Sequence, residues 1–116
     1  MQVRGGITAF ELRRKGDDLP PDEQLAGEED FPRFKLVPVN MFTPPVINPV
    51  PILTGFDVDF NPAGNGRPLG HLNVELFIHD VDNDVVTVRV VYGLRDWSGD
   101  WDDRHEAMIR FVVVAE

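Results

Sequence analysis

The chain contains no cysteine, so neither a disulfide framework nor a thiolate metal site can hold it together. Its stability must come from packing, within one chain or between subunits. It also lacks long apolar runs: the longest is about the length of one strand, and Met1-Gln2-Val3-Arg4 is followed by no hydrophobic stretch. Neither a signal peptide nor a membrane-inserting helix is expected, which points to the cytoplasm or to a particle assembled there. Basic residues are scarce, 11 against 20 acidic, for a formal charge of -9. Non-specific nucleic-acid affinity comes mainly from Lys and Arg displacing counterions, so nucleic acid is a poor partner for this surface. No Asn stands two residues before Ser or Thr, which leaves no N-glycosylation acceptor.

What is present fits one small domain. The 116 residues suffice for a two-layer core, and 42% hydrophobic with 27% charged residues lies in the globular range. Ten Pro and ten Gly imply many turns and argue against a helix-rich fold. The first third is irregular. Val3 to Arg14 carries Ile7, Phe10 and Leu12 and reads equally as a strand or a short helix, while Lys15 to Asp30 holds seven acidic residues against one Lys and reads as an exposed loop. The expected division is therefore an N-terminal arm with its acidic loop over residues 1–33 and a β-sandwich over residues 34–116.

Prolines recur irregularly between Phe31 and Pro51, so a strand there must be short or lie at an edge, with Phe34 to Val37 the best candidate. Period-2 alternation then marks Ile52 to Phe60, with Phe56, Val58 and Phe60 expected in the core. A second alternating run spans Leu72 to Ile78, where Phe77 interrupts the polar side. His79 to Asp84 is turn chemistry. Val85 to Tyr92 follows, with Val86, Val88, Val90 and Tyr92 on one side, and Met108 to Ala115 forms the last strand. The fold class is all-β, a small antiparallel six-stranded sandwich.

The most distinctive segment is Asp96 to His105. Trp97 and Trp101 offer flat apolar faces that stack on sugar rings or anchor an interface, while Arg95, Asp96 and His105 supply directional hydrogen bonds. The competing reading is that both Trp cap the end of the sandwich. Asp80, Asp82 and Asp84 alternate like the opening of an EF-hand, but no Gly stands at the sixth position and no Glu at the twelfth, so that motif is excluded and a weaker Ca2+ site is left open. His71 and His79 would stand roughly 26 Å apart on one strand and cannot share an ion. Gly64 to Gly70 is glycine-rich but leads into a strand rather than a helix, so it is a turn and not a phosphate loop. No nucleophile elbow or enclosed carboxylate pair is visible, and the chain is not expected to be an enzyme or to need a cofactor.

In order and spacing, four short patterns resemble the H-type lectin domain. They are Phe42-Thr43-Pro44-Pro45-Val46, Leu53-Thr54-Gly55-Phe56-Asp57-Val58-Asp59, His71-Leu72-Asn73-Val74, and the Val86 to Tyr92 strand with its Trp-bearing loop and aliphatic last strand. The likeness covers roughly residues 34–116. It implies a six-stranded antiparallel sandwich, trimeric or a multiple of trimers, that binds sugar where protomers meet. Trp97 would stand in the family's Trp position after the penultimate strand, without its following His, and Asn73 occupies the place of the family's strand Arg. The expected function is a carbohydrate-binding or surface-adhesion module taking a glycan or cell-surface ligand through Arg95, Asp96, Trp97, Trp101, His105 and Asn73. The alternative is a structural assembly or decoration protein of a virion or appendage that uses the sandwich to oligomerise.

Overall fold

The computed structural model describes residues 1–12, 24–25, 33–60, 69–96 and 105–116. Among them there is no helix. Seven strands follow one another: β1 (Gln2–Leu12), β2 (Gln24–Leu25), β3 (Arg33–Val39), β4 (Val50–Phe60), β5 (Leu69–Asp82), β6 (Val85–Asp96) and β7 (His105–Ala115). The six long ones form two three-stranded antiparallel sheets packed as a sandwich. The first sheet has the order β1-β7-β4 and the second β3-β6-β5, to whose β3 edge the two-residue β2 adds.

The segment that read as strand or helix is a strand, because all of β1 from Gln2 to Leu12 pairs with β7 from Ala115 to His105. Its inner face carries Gln2, Arg4, Gly6, Thr8 and Phe10, opposite the buried β7 residues Ala115, Val113, Phe111, Ile109 and Ala107. Gly6 is required by close approach, since a Cβ there would lie 2.4 Å from the tip of the Phe111 ring. The glycine lets that ring lie across the neighbouring strand.

Each sheet is centred on the strand whose alternation is most regular. Val86, Val88, Val90 and Tyr92 of β6, and Ile109, Phe111 and Val113 of β7, are all essentially fully buried. Burying such side chains stabilises by roughly 1.5–3 kcal/mol each, the principal favourable contribution to a fold without disulfides. Phe10 joins them from β1, its ring centroid 5.2 Å from that of Tyr92. Burial of the Tyr92 phenol raises its pKa well above the usual tyrosine value.

Two expectations need correction. The run from Ile52 to Phe60 does not keep one alternation: a bulge between Leu53 and Gly55 shifts the register against β7. A bulge puts two residues opposite one and reverses which side chains face inward beyond it. Ile52 therefore pairs with Val112 on the outer face, whereas Phe56 pairs with Ile109 on the inner one. Even so, Phe56 is 52% exposed instead of buried, because β4 is the edge of its sheet. The second correction concerns His79 to Asp82. These residues continue β5 after a bulge between Ile78 and Asp80, and only Asn83 and Asp84 make the turn. Asn83 takes a φ of 55°, the left-handed conformation that Asn tolerates and that two-residue hairpins use.

The connection from β3 to β4 crosses the end of the sandwich and is clipped down along its way. Phe42 is buried in the core and donates its N–H to the carbonyl of Asp84 at 3.1 Å. Ile47 and Glu116 exchange two backbone hydrogen bonds at 3.2 and 3.0 Å. The Pro44–Pro45 bond between them is cis.

Candidate functional site

The two ends of the sandwich differ. The end with the Asn83–Asp84 turn also holds the β3–β4 connection. At the other end β1, β4 and β6 finish, at Leu12, Phe60 and Asp96, while β5 and β7 begin, at Leu69 and His105. Three connections, residues 13–23, 61–68 and 97–104, meet the strands at this second end. The acidic, glycine-rich and Trp-bearing segments of the sequence thus attach to strand ends at one end of the sandwich.

The residues singled out from sequence are distributed around that end as follows. Arg95 and Asp96 are the last two residues of β6, paired with His71 and Leu69 of β5. His105 opens β7 in the other sheet, between Leu12 and Phe60. Trp97 and Trp101 lie outside the described residues, as do the side chains of Arg95, Asp96 and His105. Asn73 is half-buried on β5 and pairs with Gly93. Register puts Asn73 and Arg95 in adjacent cross-strand rows of one sheet face. His105 belongs to the other sheet.

That face is the outer side of the second sheet. Away from Asn73 it continues through Glu75, opposite Val91, and Phe77, opposite Arg89. Residues two apart on a strand share a face at about 6.6 Å, and directly opposed Cβ atoms stand about 5 Å apart, so these side chains are neighbours. Phe77 is 48% exposed, a large aromatic open to solvent. Arg89 stacks its guanidinium over Phe34 of β3 at 4.1 Å from the ring centroid. Its Nε is buried without a hydrogen-bond partner among the described residues. The stack fixes the plane of the guanidinium beside Phe77.

The arrangement combines an exposed aromatic plane, an amide at Asn73, a carboxylate at Glu75 and a held guanidinium on one flat surface that leads into Arg95. It can recognise hydroxyl-rich or aromatic ligands by stacking and hydrogen bonding. Among the described residues, no group of three His, Asp or Glu is placed to hold a metal ion. Sequence reading identified the anomaly at Phe77 but not the Arg89–Phe34 stack. The available signal was that Phe34 and Arg89 fall on the outward positions of two strands otherwise marked by inward apolar alternation. Comparison with known protein families, curated proteins and solved structures finds no match.

Proposed function

We propose that the chain is a non-catalytic carbohydrate-binding or surface-adhesion module of H-type-lectin-like architecture. The observation that carries this reading is the exposed Phe77 with the stacked Arg89 opposite it, Glu75 one row and Asn73 two rows further along the same sheet face. An aromatic plane with a guanidinium opposite and a carboxylate and an amide further along the face is the mixture a sugar needs: apolar C–H faces stack while hydroxyls bond alongside. Trp97 and Trp101, in the segment that follows Asp96, extend the same chemistry.

A glycan array followed by calorimetry on the best sugar tests the proposal. Phe77→Ala, Asn73→Ala and Trp97→Ala should each weaken binding by tenfold or more, about 1.4 kcal/mol, with an unchanged circular dichroism spectrum. An array without hits, or affinities that none of the three substitutions moves, would remove the lectin reading.

A second reading, an assembly or decoration component that oligomerises through the sandwich, is favoured by a different observation. The outer face of the first sheet is apolar, with Val3, Ile7, Val50 and Ile52 exposed on its two edge strands. A stable oligomer with no sugar hits would support this reading over the first.

A further inference from the structure

The outer edge of a sheet presents unpaired backbone groups to any extended chain that can reach it. In this sandwich the long edges are β1, β3, β4 and β5, and the first three are interrupted. On β1 the Ala9 carbonyl takes the Lys35 ammonium and the Val3 carbonyl accepts from Arg4. The β3 edge carries β2 at one end and Pro38, which has no N–H, near the other. The β4 edge carries Pro51 and the bulge between Leu53 and Gly55. The β5 edge is different. Its bulges fall at Leu69/His71 and Ile78/Asp80, and between them His71 to Ile78 pairs regularly with β6. That run contains no Pro, no Lys and one carboxylate, Glu75.

Pro38 reveals which groups lie on that edge. It stands opposite Thr87 and has no N–H, so their pair is a non-hydrogen-bonded one and Thr87 directs its backbone groups to β5. The two-residue turn agrees, because Asp82 and Val85 close it as a hydrogen-bonded pair. Alternation along β6 then makes Arg89, Val91 and Gly93 bond Phe77, Glu75 and Asn73. Leu72, Val74, Leu76 and Ile78 turn their N–H and C=O groups outward instead. Among the described residues no strand pairs with them. Their side chains lie half-buried against the core.

We propose that β5 pairs antiparallel with β5 of a second copy of the chain, about a two-fold axis beside Val74 and perpendicular to the sheet. The proposal rests on the oligomer reading above and names the strand that joins the copies. A ladder forms only where outward groups meet outward groups, so the even-numbered residues of one copy must face those of the other. Two such registers use most of the regular run. Centring on Glu75 sets the two Glu75 carboxylates directly opposite each other, which is unfavourable. Centring on Val74 sets Val74 against its own copy, Leu72 against Leu76 and Asn73 against Glu75. Its three outward pairs each exchange two N–H···O bonds, and no like charges meet. In a chain of net charge -9 that difference selects the register. An axis perpendicular to the sheet keeps both inner faces on one side, so Leu72, Val74 and Leu76 of the two copies form one apolar strip. Each copy's β4 then faces the other's. A lone extended peptide would take the same backbone bonds but brings no second layer to lie beside β4, which favours a second copy as the partner.

Amide hydrogen exchange on the whole chain, followed by NMR across a dilution series with light scattering alongside, tests the pairing. As concentration rises the mass should double, and exchange at the Leu72, Val74 and Leu76 amides should slow by roughly tenfold or more. The Asn73 and Glu75 amides, already bonded to β6, should stay slow throughout. Val74→Pro removes both central donors of the junction without taking a bond from β6, and it should leave a monomer with unchanged circular dichroism. Asn73→Lys, set against Glu75 of the second copy, should tighten the dimer and Asn73→Glu should weaken it, each by roughly fivefold over the two symmetry-related pairs. A wild-type monomer throughout would overturn both this proposal and the oligomer reading. An oligomer that keeps the three outward amides fast, that Val74→Pro leaves intact, or that the two Asn73 variants shift in the same direction would overturn the β5 junction while leaving the oligomer reading in place.

Discussion

The two long sides of the sandwich are built from strands of similar length, but one is closed and the other is open. On the β1/β3 side Phe10 and Val39 are buried, and polar side chains tie the sheets together. The Lys35 ammonium bonds the Ala9 carbonyl across the gap and sits 5.1 Å from the Phe10 ring centroid. Arg4 donates to the Met41 carbonyl at 3.0 Å, and Gln2 exchanges two hydrogen bonds with the backbone of Thr43. On the β4/β5 side no described apolar side chain is fully buried. Leu53 and Phe56 of β4 point inward yet remain exposed, and Leu72, Val74, Leu76 and Ile78 of β5 are only partly covered. Inward register is thus necessary for burial but not sufficient. A side chain also needs neighbours on the facing sheet, and an edge strand has them only where something closes the gap.

The contrast can be broken most strongly by cutting the closed side. Phe10→Ala removes a fully buried ring and should cost about 3–5 kcal/mol, whereas Phe56→Ala, on the open side, should cost about 1 kcal/mol or less. Urea denaturation of both variants measures the difference, and equal losses would mean that the open side is closed in solution. Gly6→Ala comes next. Its new methyl group must displace the Phe111 ring, an overpacking worth about 1–3 kcal/mol, visible as a lower denaturation midpoint with an unchanged slope. The smallest effect at neutral pH belongs to Tyr92, whose pKa burial raises in the folded state. The phenol is neutral in both states below its ordinary value of about 10, so its contribution is fully present there. Above that value the unfolded chain releases the proton first and stability falls with rising pH. Because Tyr92 is the single tyrosine, absorbance titration should detect tyrosinate only as the chain unfolds, and Tyr92→Phe should flatten that alkaline limb.

How much of this was legible in the sequence depended on how local the cause was. The β6 alternation was readable because Val86, Val88, Val90 and Tyr92 lie in a central strand, where period and burial coincide. The ends of β5 were not, since His79 to Asp82 have turn chemistry yet are held as strand by pairing with β6 up to the hairpin. The change of face within β4 depends on one bulge whose only local mark is Gly55. Whether residues 2–12 were strand or helix was settled by β7, a partner at the far end of the sequence. In the candidate site, Asn73 and Arg95 come into adjacent rows on one sheet. The Arg89–Phe34 stack joins two strands that are not consecutive in the chain, so only the sheet order could reveal it.

The pairing of Gln2 with Ala115 has a kinetic consequence. The β5–β6 hairpin closes through two residues and can form in microseconds from local contacts alone. The β1–β7 ladder must instead recruit opposite ends of the chain, with the full entropy of closing that loop set against it until the ladder and the Phe10 contact are in place. The second sheet should therefore order first and serve as the template. The first sheet, and with it the valine-rich outer face, should complete last. For a chain this small, folding should then fall in the milliseconds-to-seconds range of topologies dominated by distant pairings.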